Sequence, residues 1–241
     1  MAHATRRRPG ARRLTALFYA LALGGGCASA IPPLPTAWKY FSAPQPDDPW
    51  MRKIAQWQER ERWDLGDAPA PGPAAVAGSG AAAAEPAAPS PRDLRSEYDA
   101  FRGAQRRSLA RDLATWIQRE SQDHYIADGP VDRWATLAET LKANGDDCDG
   151  LELLVYRMLR EFGFGQDEVF RAIVVRPSDG QHHMVTLWFE DRDDPWVIDP
   201  TGAMTVGMPR MSEVPGWRPL KVFGLEERYT VEPLPLAQVA R

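Results

Sequence analysis

Cys148 stands in the run Asn144-Gly145-Asp146-Asp147-Cys148-Asp149-Gly150, directly ahead of an apolar helical pattern. A cysteine at a helix entrance, followed in the chain by a histidine and an aspartate, supplies a nucleophilic thiol, a general base and a group to orient that base. Cys148 lies three residues before Leu151 and seven before Val155, which puts it on the face that buries. First-turn N–H groups and the positive end of the helix dipole favour a thiolate there, and Asp147 and Asp149 oppose it by adding negative charge. The backbone N–H of Cys148 is also placed to help bind an oxyanion. His183 opens one strand pattern and Asp199 closes the next. If the two strands are hairpin neighbours, both residues reach one end of the sheet, beside the helix start. Alternation does not choose between His182 and His183, because both faces of that strand are apolar. Plain packing of the cysteine, a satisfied polar histidine and a turn at Asp199-Pro200-Thr-Gly202 account for the same residues without chemistry.

The elements that must position these groups are legible in order. Thr136-Leu-Ala-Glu139 fits a capping box, in which hydroxyl and carboxylate satisfy free N–H groups at a helix start. Asn144-Gly145 is a left-handed helix stop, and Asp146 or Asp147 caps the helix that follows. Leu151, Leu154, Val155, Met158, Leu159 and Phe162 form its apolar stripe, and Gly163 ends it. An earlier amphipathic helix carries Leu109, Leu113, Trp116 and Ile117. The period then changes to strands at 170–175, 183–189 and 195–199, with weaker candidates at 220–223 and 228–231. Helices first and an antiparallel sheet afterwards predict an α+β fold with the N-terminal helices packed on the sheet.

Residues 1–30 carry five arginines and no acid, then the apolar stretch Leu14–Leu23 and Gly24-Gly25-Gly26-Cys27-Ala28-Ser29-Ala30. This is the pattern of a secretory signal peptide cut after Ala30. Gly26-Cys27 also resembles the end of a lipobox, with Gly24 where leucine is usual, so a lipid anchor at Cys27 is the alternative and the only route to a membrane. Cleavage leaves 24 basic against 33 acidic residues, a net charge of −9. That excludes nucleic acid as the partner. With one cysteine left there is no intrachain disulfide, and the four histidines show no metal-ligand spacing. Residues 31–67 read as a Trp-rich helical segment, within which a helix starts at Asp48-Pro49 and places Trp50, Ile54 and Trp57 on one face. Residues 68–92 are an Ala/Pro-rich linker, and residues 93–241 form the main domain.

The stretch Trp134-Ala-Thr136-Leu-Ala-Glu139-Thr-Leu141, followed by Gly145-Asp-Asp147-Cys148-Asp149, resembles the bacterial transglutaminase-like cysteine proteinases, with their W-A-T-P-x-E-x-L run leading to G-D-C-E-D. His183-Met184-Val185 is similar to the family's H-M-V strand, and Val197-Ile198-Asp199 to its V-L-D. The separations of 35 residues from Cys148 to His183 and 16 from His183 to Asp199 suit that layout. The resemblance implies a papain-like, transglutaminase-like core in a periplasmic or secreted peptidase, with Cys148 as nucleophile, His183 as base and Asp199 as orienter. It also implies a protein or peptide substrate, such as a cell-surface adhesin. Some members hold calcium on the acids of the G-D-C-E-D motif. Here an extra residue precedes Asp147, Asp149 replaces the glutamate and Gly150 the aspartate. Asp147 and Asp149 remain to offer oxygens, but the loss at Gly150 removes a ligand, and no cofactor is expected. Acyl transfer to an amine and a non-catalytic binding module are the competing readings.

Overall fold

The computed structural model describes residues 37–66 and 93–234. The leader with Cys27, the linker and the last seven residues lie outside them. Among the described residues the order is β1 (Trp38–Ser42), α1 (Pro49–Gly66), α2 (Leu94–His124), α3 (Leu137–Ala143), α4 (Cys148–Glu161), β2 (Val169–Arg176), β3 (Gln181–Trp188), β4 (Trp196–Ile198), a 3₁₀ turn (Met211–Glu213), β5 (Arg218–Phe223) and β6 (Arg228–Pro233). The strands form one sheet in the order β1-β6-β5-β2-β3-β4, with every neighbouring pair antiparallel. The fold is therefore α+β, as expected. One element departs from the expected order: a strand precedes the helices. In β1 the buried Trp38 and Tyr40 alternate with the exposed Lys39, and the strand pairs with β6 at the far end of the chain.

Alternation along the strands divides the core in two. Ile173, Met184, Trp188 and Phe223 face Leu151, Val155 and Leu159 of α4, with Ile117 of α2 and Trp57 of α1 behind them. Phe170, Val174, Val185 and Leu187 point to the other face and pack with Trp38, Tyr40, Met211, Val214 and Trp217. A sheet buried on both faces explains why neither face of β3 reads as polar. Helix α1 is docked through polar contacts as well as its apolar stripe. Gln58 Nε2 donates to the carbonyls of Gly224 and Glu227 at 3.0 and 3.2 Å, and Glu61 accepts the Leu137 N–H at 3.0 Å. In α2 only the second half is buried, through Ala110, Leu113, Ala114 and Ile117, while Leu94, Tyr98 and Phe101 stand exposed.

A charged pair lies inside the helix-facing half of the core. Arg171 of β2 and Glu152 of α4 are both fully buried, with Nε donating to Oε2 at 2.5 Å. Arg171 Nη2 donates to the Asp149 carbonyl at 2.7 Å, Thr186 Oγ1 donates to the second oxygen of Glu152 at 2.5 Å, and the guanidinium lies 4.2 Å from the Trp57 ring centre. Removing one partner strands the other charge, which costs about 3–5 kcal/mol. Arg171→Met should therefore lower stability by about that amount in urea melts, and adding Glu152→Met should recover most of it. A loss below about 1 kcal/mol for the single change would mean that Thr186 alone satisfies Glu152.

Candidate active site

The start of α4 is built by a tight relay. Thr136 accepts from the Glu139 N–H, and Glu139 accepts from the Thr136 N–H, closing the expected capping box on α3. Asn144 ends α3 with φ 59°, in the left-handed region. At Gly145 a Cβ would run into the backbone carbonyl of His124, so only glycine passes there. Asp146 then exchanges backbone bonds with the exit of α2, donating to His124 O at 3.1 Å and accepting from Ile126 N at 2.9 Å. Asp147 is the cap: its Oδ1 accepts the Asp149 N–H at 3.0 Å, and Cys148 becomes the first residue of α4.

Cys148 and His183 line one cleft of about 130 Å³, with Trp50, Trp134, His182 and Met184 among its other walls. Trp50 and Trp134 stack with ring centres 6.2 Å apart, and His182 tilts against Trp50 at 5.1 Å. The cleft opens at the beginning of β3, where side chains from both sheet faces reach it, so the two adjacent histidines both border it. Among the described residues no hydrogen bond joins the Cys148 sulfur to the His183 ring. Cys148 is half-buried. Burial pushes its thiol above the usual cysteine range; the Asp147 charge adds to this, the Met184 N–H pulls the other way, and Asp149 and Glu152 reinforce the rise. Of the opposing influences expected at this helix start, burial and the neighbouring acids prevail over the dipole.

His183 and Asp199 are joined. His183 Nε2 lies 2.7 Å from Asp199 Oδ1, and both side chains are buried. An ionised carboxylate only accepts, so Nε2 donates to Asp199 and Nδ1 is the ring nitrogen turned away from it. Asp199 does not line the cleft; it stands behind the histidine. Its Oδ1 also accepts the N–H groups of Thr201 and Gly202, at 3.0 and 3.1 Å, and Oδ2 those of Met204 and Thr205, at 2.6 and 3.0 Å. Burial raises its pKa, but the His183 bond and charge, with the Thr205 and Met204 N–H groups, outweigh that and hold it below the usual carboxylate range. Gln118 of α2 secures the loop by donating to the carbonyls of Asp199 and Thr205 at 2.9 and 3.2 Å and accepting from Gly207 N at 3.2 Å. His182, by contrast, is exposed and bonds to neither Asp199 nor Cys148.

The acids beside Cys148 are less solvated than expected. Asp149 is 2 % exposed and its Oδ1 has no partner. Burial, followed by the Asp147 charge, pushes its pKa up to about 9, so at neutral pH it is a protonated acid beside the Asp147 carboxylate. Asp146 is occupied as well: Oδ1 accepts from Asp147 N at 3.0 Å and Oδ2 from Thr140 Oγ1 at 3.2 Å. Calcium takes six to eight oxygens. With Gly150 contributing none, these carboxyls do not fit it as arranged, and among the described residues no group of three or more His, Cys, Asp or Glu is set to hold a metal ion. The site residues that sequence reasoning passed over are Met184, Trp134, Trp50 and Gln118. Trp134 and Met184 stood in the motifs and Trp50 on a helix face, none of them read as lining a site, and Gln118 carried no signal.

No protein-family model matches the chain, and no curated protein matches it. Among solved structures, Legionella pneumophila LapG is similar at 18% identity and a TM-score of 0.43, over 50% of this chain and 68% of LapG. The EGTA-treated form gives 17%, 0.44, 50% and 67%, and the calcium-bound form 17%, 0.43, 58% and 80%.

Two outcomes are expected of the acids. The stability that Asp199 contributes is present above the ordinary aspartate range, about pH 3.9, and is lost as pH falls through its lower folded value. Asp199→Asn should therefore flatten the acid limb of a stability–pH curve, and an unchanged limb would remove the carboxylate from that role. Asp149 has the opposite sign: its raised folded pKa means stability present below about pH 3.9 and lost as pH rises toward about 9. Asp149→Asn should raise the melting temperature at pH 8 and leave it little changed at pH 4.

Proposed function

We propose that the chain is a cysteine hydrolase of peptide or amide bonds on a protein or peptide substrate, with a papain-like, transglutaminase-like core. Cys148 is the nucleophile, His183 the general base and Asp199 the residue that orients it. The observation that carries the reading is the His183–Asp199 bond through Nε2, which leaves the basic Nδ1 on a ring bordering the same cleft as the only thiol among the described residues. In this reading a neutral thiol passes its proton to His183 Nδ1 as sulfur attacks the carbonyl. The Cys148 N–H, at a helix start where no intrahelical acceptor exists, steadies the oxyanion. The imidazolium, stabilised by Asp199, returns the proton to the leaving amine, and water then hydrolyses the thioester by the same route. An exported protein, periplasmic or secreted, is consistent with the leader sequence, and a cell-surface substrate with the family resemblance. No helix among the described residues is long and apolar enough to cross a membrane.

A second reading has one observation in its favour: among the described residues no hydrogen bond joins the sulfur to the ring, and burial pushes the thiol's pKa up. That suits a binding module which keeps the fold without the chemistry. Activity decides between them. On peptide substrates Cys148→Ala and His183→Ala should each abolish turnover without unfolding the protein, while His182→Ala should lose less than about tenfold; full activity in either of the first two would end the hydrolase assignment. A glutaminyl peptide with a labelled amine separates hydrolysis from transfer, since label incorporation reports the latter. Asp147→Asn preserves a good cap but removes charge, so iodoacetamide should alkylate Cys148 severalfold faster at pH 7.5 than in the wild type.

A further inference from the structure

Two departures near Cys148 turn out to occupy one place. An extra acid, Asp146, precedes the cap, and Gly150 stands where the resembling motif has an aspartate. In the folded chain a Cβ at Gly150 would overlap the Asp146 carboxylate, whose Cγ is 2.5 Å from that point. Gly150 is buried in the first turn of α4 and has no left-handed backbone to explain it. Helix interiors disfavour glycine by about 1 kcal/mol relative to alanine, so its presence there calls for a steric reason, and the Asp146 side chain is that reason.

The Asp146 carboxylate joins three segments from this position. Oδ2 accepts the Thr140 hydroxyl of α3 at 3.2 Å, Oδ1 accepts the Asp147 N–H at 3.0 Å, and the backbone on either side pairs with the end of α2. Asp147 in turn caps α4 and so sets where Cys148 begins the helix. We propose that Asp146 is the positioning residue for Cys148, that its side chain fills the space a side chain at 150 would take, and that Gly150 is its required complement. The inference rests on the reading of Cys148 as the nucleophile, but its central feature, a steric exchange between positions 146 and 150, holds apart from turnover.

A double-mutant cycle tests it, read by thermal melting and by the rate of Cys148 alkylation with iodoacetamide between pH 6 and 9. Gly150→Ala should lower the melting temperature and change the alkylation rate at least threefold across that range. Asp146→Gly should do the same by loosening the helix start. Asp146→Gly combined with Gly150→Ala should melt above Gly150→Ala alone, because the overlap is gone. Asp146→Asn, which keeps the volume and one accepting oxygen, should stay within twofold of wild type in alkylation. If Gly150→Ala does not fold, recovery of a folded protein in the double variant carries the same weight. Additive losses in the cycle, a neutral Gly150→Ala, or an Asp146→Gly variant with a wild-type alkylation profile would overturn the proposal. A wild-type protein with no turnover but with a coupled cycle would instead count against the hydrolase reading alone.

Discussion

The buried pair of Arg171 and Glu152 is the constraint on which the candidate site depends. Two charges out of water are sustained only when hydrogen bonds complete them. Here Thr186 completes Glu152, and the Asp149 carbonyl and the Trp57 face complete much of Arg171. The geometry has a consequence beyond stability. Glu152 lies one turn after Cys148, and Arg171 reaches the carbonyl immediately after Cys148, so the pair clamps the first turn of α4 to the middle of β2. Apolar packing tolerates sliding, but charge-assisted bonds at 2.5 and 2.7 Å do not. The sulfur thus has a fixed height above the sheet, while the antiparallel pairing of β3 with β4 fixes the height of the histidine and its carboxylate.

Local signals in the chain are faithful where local chemistry decides. The capping box at Thr136 and Glu139, the left-handed stop at Asn144 and the cap at Asp147, one of the two acids the sequence offered, each involve residues within a few positions, and each forms. All five strands expected from 170 onward are present, because short runs rich in β-branched and aromatic residues between turn residues need no distant information. The failures share a cause. Strand β1 is five residues long and is completed only by β6, whose Glu232 accepts a bond from Ser42 across 190 positions. Arg171 sits in an otherwise apolar strand and carries no sign of its partner 19 residues away. The first half of α2 has no buried face, so no pattern marks its start.

The site divides along the same line. Residue types and order were enough to nominate Cys148, His183 and Asp199, but not to separate His183 from His182. That distinction comes from one bond to Asp199, which alternation cannot supply. The sign of the effect on the thiol was also out of reach. A helix N-terminus is visible in sequence, and the depth at which it is buried is not. Here depth prevails, with Asp147, Asp149 and Glu152 adding to it.

Surroundings that raise the pKa of the Cys148 thiol have a further effect on the life of the molecule. Peroxide and disulfide exchange act on thiolates, and they consume exposed, ionised cysteines first. The desolvated wall and ring of carboxyls around Cys148 therefore work as chemical armour, slowing both sulfenic acid formation and adventitious mixed disulfides. The same acids that would restrain a nucleophilic sulfur also slow its oxidation.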